Sequence, residues 1–327
     1  MTWVVWRRHR IDFYIALAAL AAFAALLLIT GLQMASQYHS AVASCAASKS
    51  CGNLADRLFL GSHAVGFLVI MTLGVPALLG LFWGAPLVAR EFETGTSQFA
   101  WTQSITRSRW LAVNAGWLLA GAAAWGGAVS GLVTWWSGPD NALQLDAFKP
   151  GRFDIMGIVP VGYAVFAMAL GIAAGALLRR TVPAMAVTLA VFVAVRVVIT
   201  EFVRQHYIGA ITATHNVVAG YTVQGSSWQL AQSTIGPYGQ AVSTNTSAPL
   251  VDGVPLNVLP ASCRAGMAGH HVAAAFSCLR AANFRDVVTY QPGSRYWAFQ
   301  GIETGIFLVL AAALIAVTAI AIVRRDA

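Results

Sequence analysis

The chain has 327 residues, of which 58% are hydrophobic and only 10% charged, and its mean hydropathy is +0.67. Soluble domains carry about 25% charged residues, so this chain is short of groups that can face water and reads as a polytopic membrane protein. Its net charge of +8 does not mark a nucleic-acid binder, because the basic residues form no stripe and instead punctuate the ends of apolar runs.

Residues 1–10 hold Trp3, Trp6, Arg7, Arg8 and Arg10, a basic and aromatic elbow suited to a membrane interface. Residues 11–32 then supply about the 20 apolar positions that a helix needs to cross roughly 30 Å of hydrocarbon. This beginning also resembles a signal peptide ending at Ala41-Val-Ala-Ser-Cys45. The apolar run exceeds the roughly 7–15 residues of a signal core, and Cys45 lies well beyond its end, which favours a retained first span. A polar loop is expected over 39–60 and a second span over 61–88, with Pro76 and Pro86 as kink or end points. The polar stretch 90–110 follows.

The third span is expected over 110–136, then a polar loop over 137–154, and the fourth span over 155–178. A tight turn at Arg179-Arg180 leads to the fifth span, 184–203. Thr181 is suited to cap that helix, and Pro183 is tolerated in its first turn. The sixth span falls at 299–323. The Gly-, Ser-, Asn- and Pro-rich stretch between the fifth and sixth spans reads as turns and short extended pieces, and its length suggests a small domain of its own. The expected fold is thus an all-α polytopic membrane protein with six transmembrane helices and an external domain between helices five and six. Its parts are a membrane domain over 1–203, an external domain over 204–297, and the sixth helix with a tail over 298–327.

Charge sets the expected orientation. Ten basic residues fall in the proposed inner pieces (Arg7, Arg8, Arg10; Arg90, Arg107, Arg109; Arg179, Arg180; Arg324, Arg325), against Lys49, Arg57, Lys149 and Arg152 in the short outer loops. Both termini are therefore expected in the cytoplasm, with the chain in the plasma membrane. Cys45, Cys51, Cys263 and Cys278 all fall in segments assigned outside, where disulfides persist. The expected pairs are Cys45 with Cys51 and Cys263 with Cys278, although four cysteines allow three connectivities. The second bridge would close a loop of about 15 residues, worth on the order of 3 kcal/mol. Metal binding is the weaker alternative, since no Cys-x-x-Cys occurs.

The sequence holds no Gly-x-x-x-x-Gly-Lys-Ser/Thr phosphate loop, no Gly-x-Ser-x-Gly elbow and no His-Glu-x-x-His. Neither ATP hydrolysis by this chain nor any other catalytic constellation is expected, and no cofactor or metal either. Inside the spans the clearest charge is Arg196; Asp12 and Glu303 lie near helix ends and Glu201 at the outer boundary. Arg196 has two readings: an anchor reaching the interface with a carboxylate such as Glu201, or a contact for a transported substrate. An ion path lined by paired charges is not expected. Gly-x-x-x-Gly recurs at Gly80–Gly84, Gly127–Gly131 and Gly171–Gly175, serving either packing within one chain or a seam between subunits.

In the stretch 90–110, Glu91 and Glu93 precede Gly95, Thr96 is placed to cap a short helix from Ser97, and Arg107 and Arg109 close it. Phe92, Phe99 and Trp101 add aromatic bulk beside the charges, which fits a partner-binding patch as well as a plain interfacial loop. The run Ala89-Arg-Glu-Phe-Glu-Thr-Gly-Thr96 followed by 103–110 resembles the first cytoplasmic loop of ABC-2 type transporter permeases, whose Glu-x-Glu-x-Gly-Thr element forms a coupling helix on the ATPase. Further resemblances are Trp6-Arg-Arg-His-Arg10 to their elbow and Leu178-Arg-Arg-Thr-Val-Pro-Ala184 to their second inner loop. Arg204-Gln-His-Tyr207 is similar to an Arg-Pro-His-Tyr element, with Gln205 in place of proline, and Tyr290–Trp297 with Glu303-Thr-Gly is similar to the entry to the last span.

The resemblance implies an exporter permease that pairs with a second permease, as homo- or heterodimer, on separate ATPase subunits carrying ATP and Mg. Arg90, Glu91, Phe92, Glu93, Thr94, Gly95, Thr96, Phe99, Trp101 and Arg107 would meet the ATPase, with Arg179 and Arg180 in the second inner loop. Membrane lipid is a further expected partner, and nucleic acid is not. An apolar interior short of charge suggests a hydrophobic or amphipathic cargo such as a lipid, antibiotic or peptide. The rival reading is a non-transporting membrane assembly or sensor protein that uses its external domain.

Overall fold

A computed structural model describes residues 2–48, 72–93, 106–137, 148, 150–216, 227–239, 250–251, 254–255 and 272–325. The chain forms two compact units. The first comprises Met1–Leu145, Lys149–Arg204 and Trp297–Ala327, and the second Asp146–Phe148 with Gln205–Tyr296.

The described part of the first unit is helical. It begins with α1, Thr2–Ser48. Residues 39–48 of the expected polar loop at 39–60 are therefore helical, and the remainder lies outside the described residues. No Gly or Pro lies between Gly31 and Gly52, and the Ala- and Ser-rich run up to Ser48 has nothing to stop a helix already formed. Cys45 consequently sits on α1, while Cys51 lies outside the described residues.

The next span is built in pieces: a 3-10 turn at Thr72–Gly74, then α2 (Val75–Leu79), a π turn at Gly80–Gly84, and α3 (Ala85–Glu93). Pro76 stands in the first turn of α2, where its missing N–H costs nothing. Pro86 would clash with a carbonyl four residues back in an unbroken α-helix. The helix is widened just before it, and the Ala85 N–H bonds the Gly80 carbonyl five residues back.

There follow α4 (Arg107–Trp136), one helical turn at Pro150–Phe153, α5 (Val159–Leu178) and α6 (Thr181–Val198). A π turn at Ile199–Val203 and a 3-10 turn at Arg204–His206 extend α6. Among the described residues, six helical stretches are long and apolar enough to cross a membrane: Phe13–Gln37, Thr72–Glu93, Arg109–Trp136, Val159–Leu178, Thr181–His206 and Gly293–Ile322.

The core of this unit is α5, buried along most of its length from Val159 to Ala176. Ala164, Met168, Ile172 and Ala176 form one cluster with Leu79, Leu87 and Val88 of the second span and Leu111, Ala115 and Ala122 of α4. Small residues permit that depth. A Cβ on Gly80 would run into the Ala167 carbonyl, and one on Gly171 would lie 2.7 Å from the Ala85 nitrogen. Gly84 and Gly175 make the same close approach, to Met168 and Ala85. Two of the three Gly-x-x-x-Gly motifs therefore pack against each other within the chain. The third does not join them: a Cβ on Gly131 meets nothing within 4 Å, and the tight glycine of α4 is Gly126, just before the motif's Gly127, where an added Cβ would lie 3.0 Å from the Pro160 carbonyl oxygen.

In the second unit the strands are β1 (Ile211–Asn216), β2 (Trp228–Ile235), β3 (Leu250–Val251), β4 (Val254–Pro255) and β5 (Arg285–Gln291), with α7 (Val272–Ala281) before β5. β5 is the centre of an antiparallel sheet of order β1-β5-β2, while β3 and β4 form a separate pair. The all-α expectation holds for the described first unit and not here, where the strand-favouring Val287, Val288, Thr289 and Tyr290 follow one another along β5. Asp286 is buried and accepts a 2.8 Å hydrogen bond from Thr234 across the sheet. The end of β5 is held by Gln291, which donates to the Ile208 carbonyl at 2.6 Å, and by Arg295, which donates to Gly209 and Gln291. Cys278, on α7, is disulfide-bonded; Cys263 lies outside the described residues. The last helix, α8 (Tyr296–Arg325), returns to the first unit.

The glycine geometry yields a direct expectation. Gly171→Leu should lower the thermal stability of the purified protein by about 1–3 kcal/mol or more, the usual cost of overpacking, whereas Gly131→Ala should leave it unchanged or raise it slightly. Melting curves in detergent compare the two.

Candidate functional site

Two sites gather the polar groups of the first unit, one at each end of α6. At its start, the two-residue turn Arg179-Arg180 joins α5 to α6. Arg179 takes the left-handed conformation, φ 53°, and its N–H closes α5 on the Gly175 carbonyl. Its guanidinium lies 4.6 Å from the centre of the Phe92 ring. Glu93, the last residue of α3, accepts two hydrogen bonds from Thr181, from its N–H at 2.8 Å and its hydroxyl at 2.6 Å. The positive end of α6 is thereby capped by a carboxylate from another span. Thr181 is not the cap expected of it: the residue before α6 is Arg180, without a side-chain bond of its own, and the Thr181 hydroxyl acts as a donor to Glu93.

The same device recurs at α5. The residue preceding it makes no side-chain cap. Gln300 of α8, fully buried, accepts from the N–H groups of Ile158 and Val159 at 2.9 Å each and donates to the Phe153 carbonyl at 3.0 Å. Gly157, at φ +73°, lets the backbone turn there, and the Gln300 amide occupies the space that a side chain at 157 would need.

At the far end of α6 lies a buried charge network. Arg204 is fully buried, as is Glu303 of α8, and they form a bidentate pair: Arg204 Nε donates to Glu303 Oε2 and Nη2 to Oε1, both at 2.8 Å. Nη2 also meets Asp154 Oδ1 at 2.5 Å. The other oxygen of Asp154 pairs with Arg196 Nη2 at 2.9 Å. Tyr163 of α5 donates its hydroxyl between Asp154, at 3.0 Å, and Glu303. Two guanidinium groups face two carboxylates, so the network is formally neutral. Aromatic faces complete it, with Arg196 3.7 Å from the Tyr163 ring centre and Arg204 4.3 Å from that of Phe153.

The π turn makes the arrangement possible. In an α-helix, at about 100° per residue, positions eight apart differ by about 80° around the axis. One residue inserted by the π turn leaves seven effective steps, an offset of about 20°. Arg196 and Arg204 thereby reach the same carboxylate from one face. Of the two readings of Arg196, the anchor with a carboxylate partner describes its geometry, but that partner is Asp154; Glu201 is exposed on the π turn. Two placements differ from the expectation: Asp154, placed in a polar outer loop, is buried with the bundle, and Glu303, placed near a helix end, lies two turns inside α8.

A model of the family described as ABC-2 membrane transporter related matches residues 17–204, more than half of the chain. The chain belongs to this family. The match runs from α1 through Arg204 and so contains the Glu93–Thr181 tie and three charged members of the network, with Glu303 beyond it. No curated protein and no solved structure matches the chain. As a member of the ABC-2 family it is a membrane protein of the transporter-permease kind.

The residues expected to meet an ATPase are placed as follows. Arg90 and Glu93 are exposed and Glu91 and Phe92 half-buried, all in the last turn of α3 and not in a loop. Thr94, Gly95, Thr96, Phe99 and Trp101 lie outside the described residues, and Arg107 opens α4. The structure brings Phe92 and Glu93 together with Arg179 and Thr181. It adds Asp154, Tyr163, Arg204, Gln300 and Glu303, to which charge reading gave no role. Arg204 and Glu303 did stand in two of the stretches that carried the family resemblance.

Removing one partner of a buried ion pair costs about 3–5 kcal/mol, because the other charge is left stranded. Arg204→Met alone and Glu303→Leu alone should each lower stability by roughly that amount. The double variant should lose markedly less than the sum of the two, as a double-mutant cycle of melting curves in detergent would show.

Proposed function

We propose that this chain is the permease subunit of an ATP-driven exporter. It moves a hydrophobic or amphipathic cargo across the plasma membrane by alternating access, with both termini in the cytoplasm. ATP and Mg are held by a separate ABC ATPase, and a second permease, the same or different, completes the assembly. Cys45 pairs with Cys51 in the outer segment between the first two spans, and Cys263 with Cys278 in an external domain over 204–297. The family match is the first support for this reading.

The observation that carries it is the tie between Glu93 and Thr181. Residues 94–105 join α3 to α4 in sequence, and the Glu-x-Glu-x-Gly-Thr element Glu91–Thr96 that leads into them resembles the coupling loop on which an ATPase closes. Glu93 is the last residue of α3, directly before that stretch in sequence, and it is bonded to the first residue of α6. A push on the loop therefore reaches three spans, those before and after it and α6. At its other end α6 is joined through Arg196 and Arg204 to Asp154, Tyr163 and Glu303, so that motion of α6 carries α5 and α8 with it.

Two variants separate binding from coupling. Glu91→Arg with Glu93→Arg should abolish co-purification of the ATPase. Glu93→Ala with Thr181→Val should retain the ATPase but reduce cargo moved per ATP hydrolysed in reconstituted vesicles, at least several-fold. Transport per ATP equal to that of the unaltered protein in the second variant would refute the coupling role of the tie, and an ATPase-driven efflux indifferent to deletion of this chain would refute the function.

A further inference from the structure

Between α1, the second span and α4 lies an apolar slot of about 640 Å³. Phe13, Leu17 and Leu20 line it from α1, Trp83 from the π turn, and Trp117 and Trp125 from α4, and no charged side chain is among its lining residues. Its shape follows from how α1 and α4 meet. The two helices run in parallel: Leu27 packs with Val129 and Val133, and further along Gly31 lies against Trp135 and Trp136. The Trp136 indole donates to the Thr30 hydroxyl at 3.2 Å, closing this end. Toward the start of both helices that contact gives way to the slot.

The open end is basic. Arg10 is exposed one turn before Phe13, and Arg109 is exposed at the start of α4. The slot runs along α4 from Trp117 to Ala128, about 16 Å at 1.5 Å per residue. One leaflet of a bilayer core is about 15 Å deep. An apolar slot of that length, closed at one end by the Trp136–Thr30 contact and positively charged at the other, matches a lipid tail below an anionic head.

We infer that this slot binds an acyl chain of an anionic phospholipid from the leaflet on the Arg10 side, its phosphate held by Arg10 and drawn by the field of Arg109. The occupant is a bound lipid whether or not it is also cargo, so the inference stands apart from the transport reading.

The test uses the full chain purified in mild detergent and native mass spectrometry. It is titrated with phosphatidylglycerol or phosphatidylcholine carrying identical acyl chains. The unaltered protein should hold the anionic lipid about tenfold more tightly, a difference of 1.4 kcal/mol. A Cβ on Gly121, which lines the slot, meets nothing within 4 Å, so Gly121→Phe fills the space without displacing backbone. It should weaken both lipids by about tenfold or more with an unchanged melting curve, and Ala124→Trp should do the same from the next turn. Arg10→Gln should erase the preference for the anionic head and leave tail binding intact. Equal binding of the two lipids by the unaltered protein would overturn the inference, as would unchanged lipid binding in both filled variants. So would loss of a dimer in the filled variants, which would make the slot a seam covered by a second copy.

Discussion

In hydrocarbon a polar group has no water to fall back on, so each must be satisfied within the protein. The fold of the first unit is arranged around that constraint. Arg204 carries most of it, a fully buried guanidinium placed where α6 has left its regular course, its Nε and Nη2 answered by carboxylates and its Nη1 left without a hydrogen bond. Glu303 alone would neutralise it, but two carboxylates and a second arginine are present, which leaves Asp154 to bridge the two arginines. The result binds the lead-in to α5, α5 itself, the end of α6 and the start of α8 at one level of the bundle.

The helix ends obey the same rule. Neither α5 nor α6 caps itself. Each is capped from a distant span, α5 by Gln300 and α6 by Glu93. A cap within the sequence stabilises only its own helix, whereas a cap from another span also fixes where that span sits. The α5–α6 pair is thus located by α8 through one and by α3 through the other. Between these polar fixings the packing is by close backbone approach at glycines, so the bundle combines sliding apolar surfaces with a few hydrogen-bonded fixed points.

Much of this was legible in the amino-acid order. Apolar runs of about 20 residues report spans because hydrocarbon thickness leaves little choice of length, and each of the six meets a helical stretch among the described residues, the second, expected over 61–88, being described only from Thr72 on. The ordered elements around Glu91, Arg179, Arg204 and Glu303 pointed to the family. Other features were not legible, for identifiable reasons. Asp154 ends a polar stretch and looks like loop until the turn at Gly157 folds it inward. Arg196 and Arg204 are spaced wrongly for one helical face, and a π turn leaves no mark in hydropathy. The start of α1 and its hydropathy were plain, but its end was not, since alanine and serine are as acceptable in a helix as in a loop.

The sequence by itself determined that the chain lives in a membrane, roughly where it crosses, and which family it belongs to, because composition, run length and a short motif are local properties. The tertiary structure alone decided which glycines touch, which carboxylate answers which arginine, and which span caps which. Those are pairings between residues such as Arg204 and Glu303, or Glu93 and Thr181, that lie far apart in the chain. Partner choice there depends on helix rotation and on a single inserted residue, neither of which the order of amino acids states outright.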